Sequence, residues 1–336
     1  MNDYWSFYKG KILETDKNEL IEKIKEVKIH DIYDNSLFLT VSDLKFLEEN
    51  LNVVYKEKLK LFTIYLYLSY PTELSYEEYR RFHSKYKFYH LFVQGFSKER
   101  GKLDENYYNA SDIDPNIMLV YLKKLNELTK GLQIYSDTDF EGNVRTICTL
   151  SNRIVENVFY DIKTSASTQS ENYISRYRVP NEIIGLLDNK TVCRGYAGIF
   201  RDAVRILGFD VENISGFNED DIGHEWNQIK IFEEEWYYCD ITWDSNNILN
   251  QHTPNFLLSG YTDFYKDNYV WSDGTRADSH SNYIYNRSQG EHFAEKSVSR
   301  ELVNKYLYIE EEKKENWLKS FLGIGKNNIE REGEVR

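Results

Sequence analysis

Residues 191–208 read TVCRGYAGIFRDAVRILG, and the fold turns on how this stretch is understood. From Cys193 onward, apolar side chains fall at Tyr196, Ala197, Phe200, Val204 and Leu207, with Ile199, Ala203 and Ile206 widening the same face. That spacing predicts a largely buried helix that opens at a cysteine and stops at Gly208, a residue suited to a left-handed cap. The first turn of a helix carries amides without helical partners and the positive end of the macrodipole, so a sulfur there is favoured as thiolate. The same amides can hold an oxyanion. Gly195, Ala197 and Gly198 leave room for a substrate chain or a facing strand to approach closely. Taken alone, Cys193 reads more readily as a small buried hydrophobe, as most intracellular cysteines do.

Working outward, residues 223–245 read GHEWNQIKIFEEEWYYCDITWDS, two runs of period-two alternation separated by a charged turn. His224, Trp226, Gln228 and Lys230 share one side of the first strand, and Trp236, Tyr238, Asp240 and Thr242 one side of the second. A turn at Phe232, Glu233 and Glu234 pairs Ile231 with Glu235, Trp226 with Asp240 and His224 with Thr242. Asp240 then sits diagonally beside His224 on one face, within reach of its ring. A bulge would give the same alignment, whereas a one-residue slip would separate them. Singly, such a histidine or aspartate is an ordinary strand residue. Together with Cys193 they supply a nucleophile, a base and an orienting acid. Cys239 alternates to the opposite face from Asp240, which removes the best second sulfur for zinc, so neither a metal nor a cofactor is expected. The remaining histidines, including His83 and His90 seven apart on one expected helix, form no ligand-spaced pair.

Length and composition set the frame. A chain of 336 residues, 41% hydrophobic and 15% aromatic, can build one large domain or two modest ones. A net charge of −13 disfavours nucleic acid or an anionic membrane as main partner. The start of the chain lacks the apolar core of a signal peptide, and the longest apolar stretch, Leu59 to Tyr70, is too short to span a bilayer. Three cysteines cannot all pair, which fits a reducing cytoplasm. Abundant Tyr, Asn, Lys and Ile with four prolines suit an AT-rich bacterial source. The first 135 residues read as a mainly helical region. One helix follows Thr15, a second is capped by Ser42, a third runs from Tyr79 to Phe92 behind a Ser75–Glu78 capping box, and a fourth covers Asn116 to Lys130. A boundary near residue 136 opens a domain over 136–290, with a helix over Val144 to Tyr160 and a short one over Asn181 to Leu187. Residues 291–336 form a C-terminal charged helix, Ser297 to Leu322, and a solvated tail.

The three segments resemble the bacterial branch of the transglutaminase-like superfamily, in which VCxGYA opens the nucleophile helix, HAWN carries the base and VDxTWD the acid. The counterparts are Val192–Ala197, His224–Asn227 and Cys239–Asp244, joined in the same order. Asn157 to Asp161 is similar to the helix end that precedes the cysteine, and Asn255 to Ser259 to the helix after the acid. The likeness covers roughly residues 140 to 290. Asn189 stands where a glycine is common, Glu225 replaces an alanine, and the interval from His224 to Asp240 is about one residue longer than usual.

The resemblance implies an α+β, papain-like transglutaminase core, with the nucleophile helix packed on an antiparallel sheet. It also implies cysteine-dependent acyl chemistry on a protein or peptide amide, with Cys193, His224 and Asp240 as catalytic residues and Tyr196, Trp226, Thr242 and Trp243 lining the site. Water resolving a thioester would make a protease or deamidase, and an amine would make a transglutaminase. The alternative is a silent scaffold that binds proteins, with residues 1–135 recruiting a partner or covering the site. A C-terminal patch of Trp317, Phe321, Leu322, Lys319 and Lys326 is the one feature that would touch a membrane.

Overall fold

The computed structural model describes residues 17–26, 36–92, 96–97, 102–103, 112–135, 139–162, 181–217, 223–232, 235–250, 252–264, 270–271 and 292–307. They divide into two compact units between Lys123 and Lys124.

The first unit begins with α1 (Lys17–Glu26), which buries Leu20 and Ile24. It continues through β1 (Ser36–Thr40), α2 (Val41–Asn50), α3 (Val53–Leu59), β2 (Thr63–Leu68), a 3-10 turn at Pro71–Glu73 and α4 (Tyr76–His83). β3 (Lys87–Phe92) follows, then a small antiparallel pair, β4 (Phe96–Ser97) with β5 (Lys102–Leu103), then β6 (Asp112–Ile113) and α5 (Pro115–Thr129). The sheet order is β1-β2-β3-β6, parallel across the first three strands and antiparallel at β6. Leu37, Leu39, Ile64, Leu66, Phe88 and His90 alternate onto its buried face.

This sheet corrects the expectation of helices with little strand. The aromatic run read as one helix to Phe92 stops at His83, and Lys87 onward changes to period two, with Phe88 and His90 buried and Lys87 exposed. Aromatic residues three and four apart suit either element, and the Ser84–Lys85 turn is what separates them. The Ser75–Glu78 capping box is present. The cap of α2 is Thr40, not Ser42, with Asp43 returning the bond.

The second unit takes the rest of α5 and adds α6 (Phe140–Asn157), β7 (Phe159–Tyr160), α7 (Asn181–Asp188), β8 (Lys190–Thr191) and α8 (Cys193–Leu207). Next come β9 (Asp210–Phe217), β10 (Gly223–Phe232), β11 (Glu235–Cys239), α9 (Ile241–Leu249), α10 (Tyr261–Phe264), β12 (Val270–Trp271), β13 (His292–Phe293) and α11 (Arg300–Lys305). The sheet order is β12-β9-β10-β11-β13, antiparallel except for β13. Helix α8 packs on β9 and β10, so the expected helix on a largely antiparallel sheet is present. It ends at Gly208 with φ of 100°, the left-handed stop foreseen.

Two expectations near the site are corrected. The strand carrying the acid ends at Cys239, so Asp240 caps α9 and Thr242 lies on that helix. Residues 255–259 are not helical. Leu258 has φ of 54°, Ser259 pairs with Tyr238, and the Asn255 and Phe256 amides go to the Asp244 carboxylate instead of a helical ladder. The C-terminal helix covers Arg300–Lys305 and is capped at Tyr306, while Trp317, Phe321 and Leu322 lie outside the described residues.

Candidate active site

Cys193 occupies the first position of α8 and is partly exposed. Its helix is placed from behind by a close crossing. β7 and β8 pair in parallel, the Asp161 amide donating to the Thr191 carbonyl at 2.8 Å, which fixes Thr191 two residues before the sulfur. A Cβ on Gly195 would fall 1.9 Å from Thr191 Oγ1, and one on Gly198 would fall 2.7 Å from Glu182 Cβ. The small residues read as room for a substrate or a strand are filled by Thr191 and by α7. Asn189, in the place of the usual glycine, adopts φ of 57°, a left-handed conformation that asparagine tolerates.

β10 and β11 pair with Asn227 opposite Cys239 and Gln228 opposite Tyr238, the register expected from the sequence. The irregularity falls between Lys230 and Phe232, near the turn. His224 and Asp240 therefore meet, with Nε2 of the ring 2.5 Å from Oδ2. The other oxygen of Asp240 accepts the Trp243 amide at 3.1 Å. Cys193, at the start of α8, acts on the same ring and favours its charged form. With Nε2 held by Asp240, Nδ1 is the nitrogen left for the sulfur. Burial works against a charged ring, but the Asp240 carboxylate and Cys193 outweigh it and push His224 up to about 10. The ring is enclosed by Trp226, stacked at 5.9 Å, and Trp243, edge-on at 5.6 Å.

The residues expected to line the site divide. Trp243 is 39% exposed beside the ring, and Thr242 is half-buried on α9. Trp226 is buried in a cluster with Ile214, Tyr238, Phe256 and Phe264, beneath the histidine. Tyr196 does not line the site: it is 1% exposed and its hydroxyl donates to the Val158 carbonyl at 2.6 Å, tying α8 to the end of α6. Aromatic character beside a nucleophile says nothing about which way the ring turns.

Sequence reasoning passed over Asp244 and gave Glu225 no partner. Asp244, one turn after Asp240, is fully buried and accepts the amides of Asn255 and Phe256, each at 2.8 Å. Burial pushes it up to about 7 against those two bonds. Its repeat after Asp240 at helical spacing was the available signal. Glu225 points away from His224, accepts from Asn213 at 2.8 Å and faces Arg194 at 3.5 Å. Burial raises its pKa, and Arg194 opposes the rise. Among the described residues no group of His, Cys, Asp and Glu is arranged to hold a metal.

With this geometry in place, similarity to known proteins can be stated. The chain is similar to the kyphoscoliosis peptidases. It is 27% identical to that of Mus musculus and 28% to that of Homo sapiens, over 152 residues in each case. The match takes in 42% of this chain and 21% of each relative, so the chain spans about a fifth of their length. A structure titled "Crystal structure of a TGase" aligns over 46% of this chain and 50% of its own, with 14% identity and a TM-score of 0.26. No family model matches. The likeness is to transglutaminase-like proteins at the level of the superfamily. Among the described residues, no helix is long and apolar enough to cross a membrane.

Proposed function

We propose that this protein carries out cysteine-dependent acyl chemistry on a protein or peptide amide, through a thioester, from a papain-like core. The observation that carries the reading is the buried His224–Asp240 pair, Nε2 to Oδ2 at 2.5 Å, with Cys193 at the start of α8 acting on the same ring. The distant likeness to peptidases supports the same class.

In the proposed reaction the thiol proton already rests on Nδ1 of His224, and the thiolate sulfur bonds to the amide carbon. The carbonyl electron pair moves to oxygen, where the Cys193 amide at the helix start donates to it. The pair then returns, the C–N bond breaks, and the imidazolium gives its proton to the leaving amine. Water, losing a proton to His224, attacks the thioester, and the C–S bond breaks to restore the thiol. An amine in place of water gives transamidation; water is the reading adopted here. Asp240 holds the ring with Nε2 protonated throughout.

Intact-mass measurement after iodoacetamide treatment tests the proposal. Cys148 and Cys239 are fully buried, and burial pushes their thiols up, Cys148 to about 12. One adduct is therefore expected on the folded wild type, and none on Cys193→Ala at the same melting temperature. Equal labelling of both proteins, or a Cys193 that reacts no faster than a free cysteine, overturns it.

A further inference from the structure

Arg194 and Glu225 follow Cys193 and His224 directly in α8 and β10 and pair with each other at 3.5 Å. Glu225 is the end of a polar chain on the face of β10 away from the histidine. The Ala197 carbonyl accepts from Asn227 Nδ2 at 3.0 Å, Asn227 donates to Asn213 Oδ1 at 2.8 Å, and Asn213 donates to Glu225 Oε1 at 2.8 Å. Asn227 is 1% exposed and the Glu225 side chain 15%. Enclosing a carboxylate is costly unless it is paired, and here its cationic partner is Arg194. The guanidinium engages it through Nε, leaving the two terminal nitrogens without a further partner among the described residues, on a side chain 52% exposed.

We infer that Arg194, aimed by Glu225, is a specificity-determining residue that binds a carboxylate on the substrate next to the acyl carbon taken by Cys193. The inference rests on the thiol–imidazole reading above. Its planar fork suits a carboxylate in two-point contact, and its Cα lies about 3.8 Å from that of the nucleophile. The preferred donor is an amide flanked by an acidic side chain or by a terminal carboxylate. Asn213 and Asn227 are positioning residues that act through Glu225.

Iodoacetate and iodoacetamide deliver the same electrophile with and without a carboxylate, so the ratio of their rates at Cys193 reads the effect of Arg194. Attraction of the anion by the helix start and the imidazolium is common to every variant and cancels. Arg194→Gln is expected to lower the iodoacetate-to-iodoacetamide ratio about tenfold at low salt, the size of one charge-assisted hydrogen bond. Arg194→Lys, which keeps the charge without the fork, is expected to give an intermediate ratio, and it serves as the test should the Gln variant not fold. A ratio equal in wild type and variants, with Cys193 still selectively labelled, overturns the role of Arg194 and leaves the thiol–imidazole reading intact. A Cys193 no more reactive than a free thiol towards either reagent removes both.

Discussion

Asp240 serves His224 and helix α9 with different oxygens: Oδ2 lies 2.5 Å from Nε2 of the ring, and Oδ1 accepts the Trp243 amide at 3.1 Å. The residue that orients the ring therefore also starts the helix behind it. Asparagine caps a helix as well as aspartate does, so Asp240→Asn separates the two roles. His224 is raised to about 10 from 6.5, mainly by the Asp240 charge against the cost of burial. A raised histidine contributes stability that is fully present below pH 6.5 and is lost as the pH climbs to about 10. Wild type is therefore expected to be more stable than Asp240→Asn at pH 6, the gap closing towards pH 10. Alkylation of Cys193 should lose its dependence on imidazolium at a lower pH in the variant. Denaturant unfolding at several pH values gives the answer, and a gap that does not change with pH contradicts the assignment.

Asp244 reaches the same ring through its neighbours. It gathers the amides of Asn255 and Phe256, the Phe256 carbonyl accepts the Asp240 amide at 3.3 Å, and the Phe256 ring meets Trp243 at 5.8 Å. Arg300 secures the same loop by donating to the carbonyls of Pro254, Leu257 and Leu258. Asp244→Ala strands the buried Phe256 amide and the partly buried Asn255 amide, for an expected loss of about 2 kcal/mol. The Cys193 alkylation rate should drop with it. A variant that unfolds at the wild-type denaturant concentration would show that the loop is held by other means.

How much of this was legible follows from the kind of signal each element carries. The helix at Cys193 and the register that joins His224 to Asp240 were readable, because period 3.6 and period two are properties of burial and appear directly in residue order. The strand end at Cys239 was not, since Asp240 fits a strand face and a helix cap equally well until the Trp243 amide is located. The sheet of the first unit was hidden for a related reason. Tyr79, Phe82, Tyr86 and Tyr89 keep near-helical spacing across a turn, and only the parallel pairing of β2 with β3 shows where the helix stopped. The inward turn of Tyr196 depends on the Val158 carbonyl, distant in sequence, and no local pattern announces it.

His90 in β3 gives the first unit its own acid sensitivity. The ring is 0% exposed, stacks on Tyr79 at 5.1 Å and meets Phe88 edge-on at 5.1 Å. Burial pushes it down to about 3, with His83 adding to the fall. The folded form thus binds fewer protons than the unfolded chain, whose ordinary value is 6.5, and stability declines as the pH falls from 6.5 towards 3. His90→Phe keeps an aromatic ring in place and is expected to flatten that decline. Thermal unfolding of both proteins between pH 6.5 and 4 checks it, and parallel curves would refute the assignment.

Gly195 is where packing and the reactive sulfur are most tightly linked. Thr191 is wedged between helices: a Cβ on Gly185 of α7 would fall 2.6 Å from Thr191 Cβ, and one on Gly195 of α8 only 1.9 Å from its hydroxyl. Thr191 cannot withdraw, because its carbonyl is bound by the Asp161 amide at 2.8 Å. Alanine normally gains about 1 kcal/mol over glycine inside a helix. At Gly195 the overlap, of order 1–3 kcal/mol for an overpacked site, offsets that gain and pushes the start of α8 away from β8. Gly195→Ala should therefore lower both the melting temperature and the alkylation rate at Cys193, two residues away. Removing the Thr191 hydroxyl and methyl relieves the shortest contact but leaves its Cβ at 2.8 Å, so Thr191→Ala combined with Gly195→Ala should recover part of both losses. If the single variant matched wild type in both measurements, α8 would not be held by this contact.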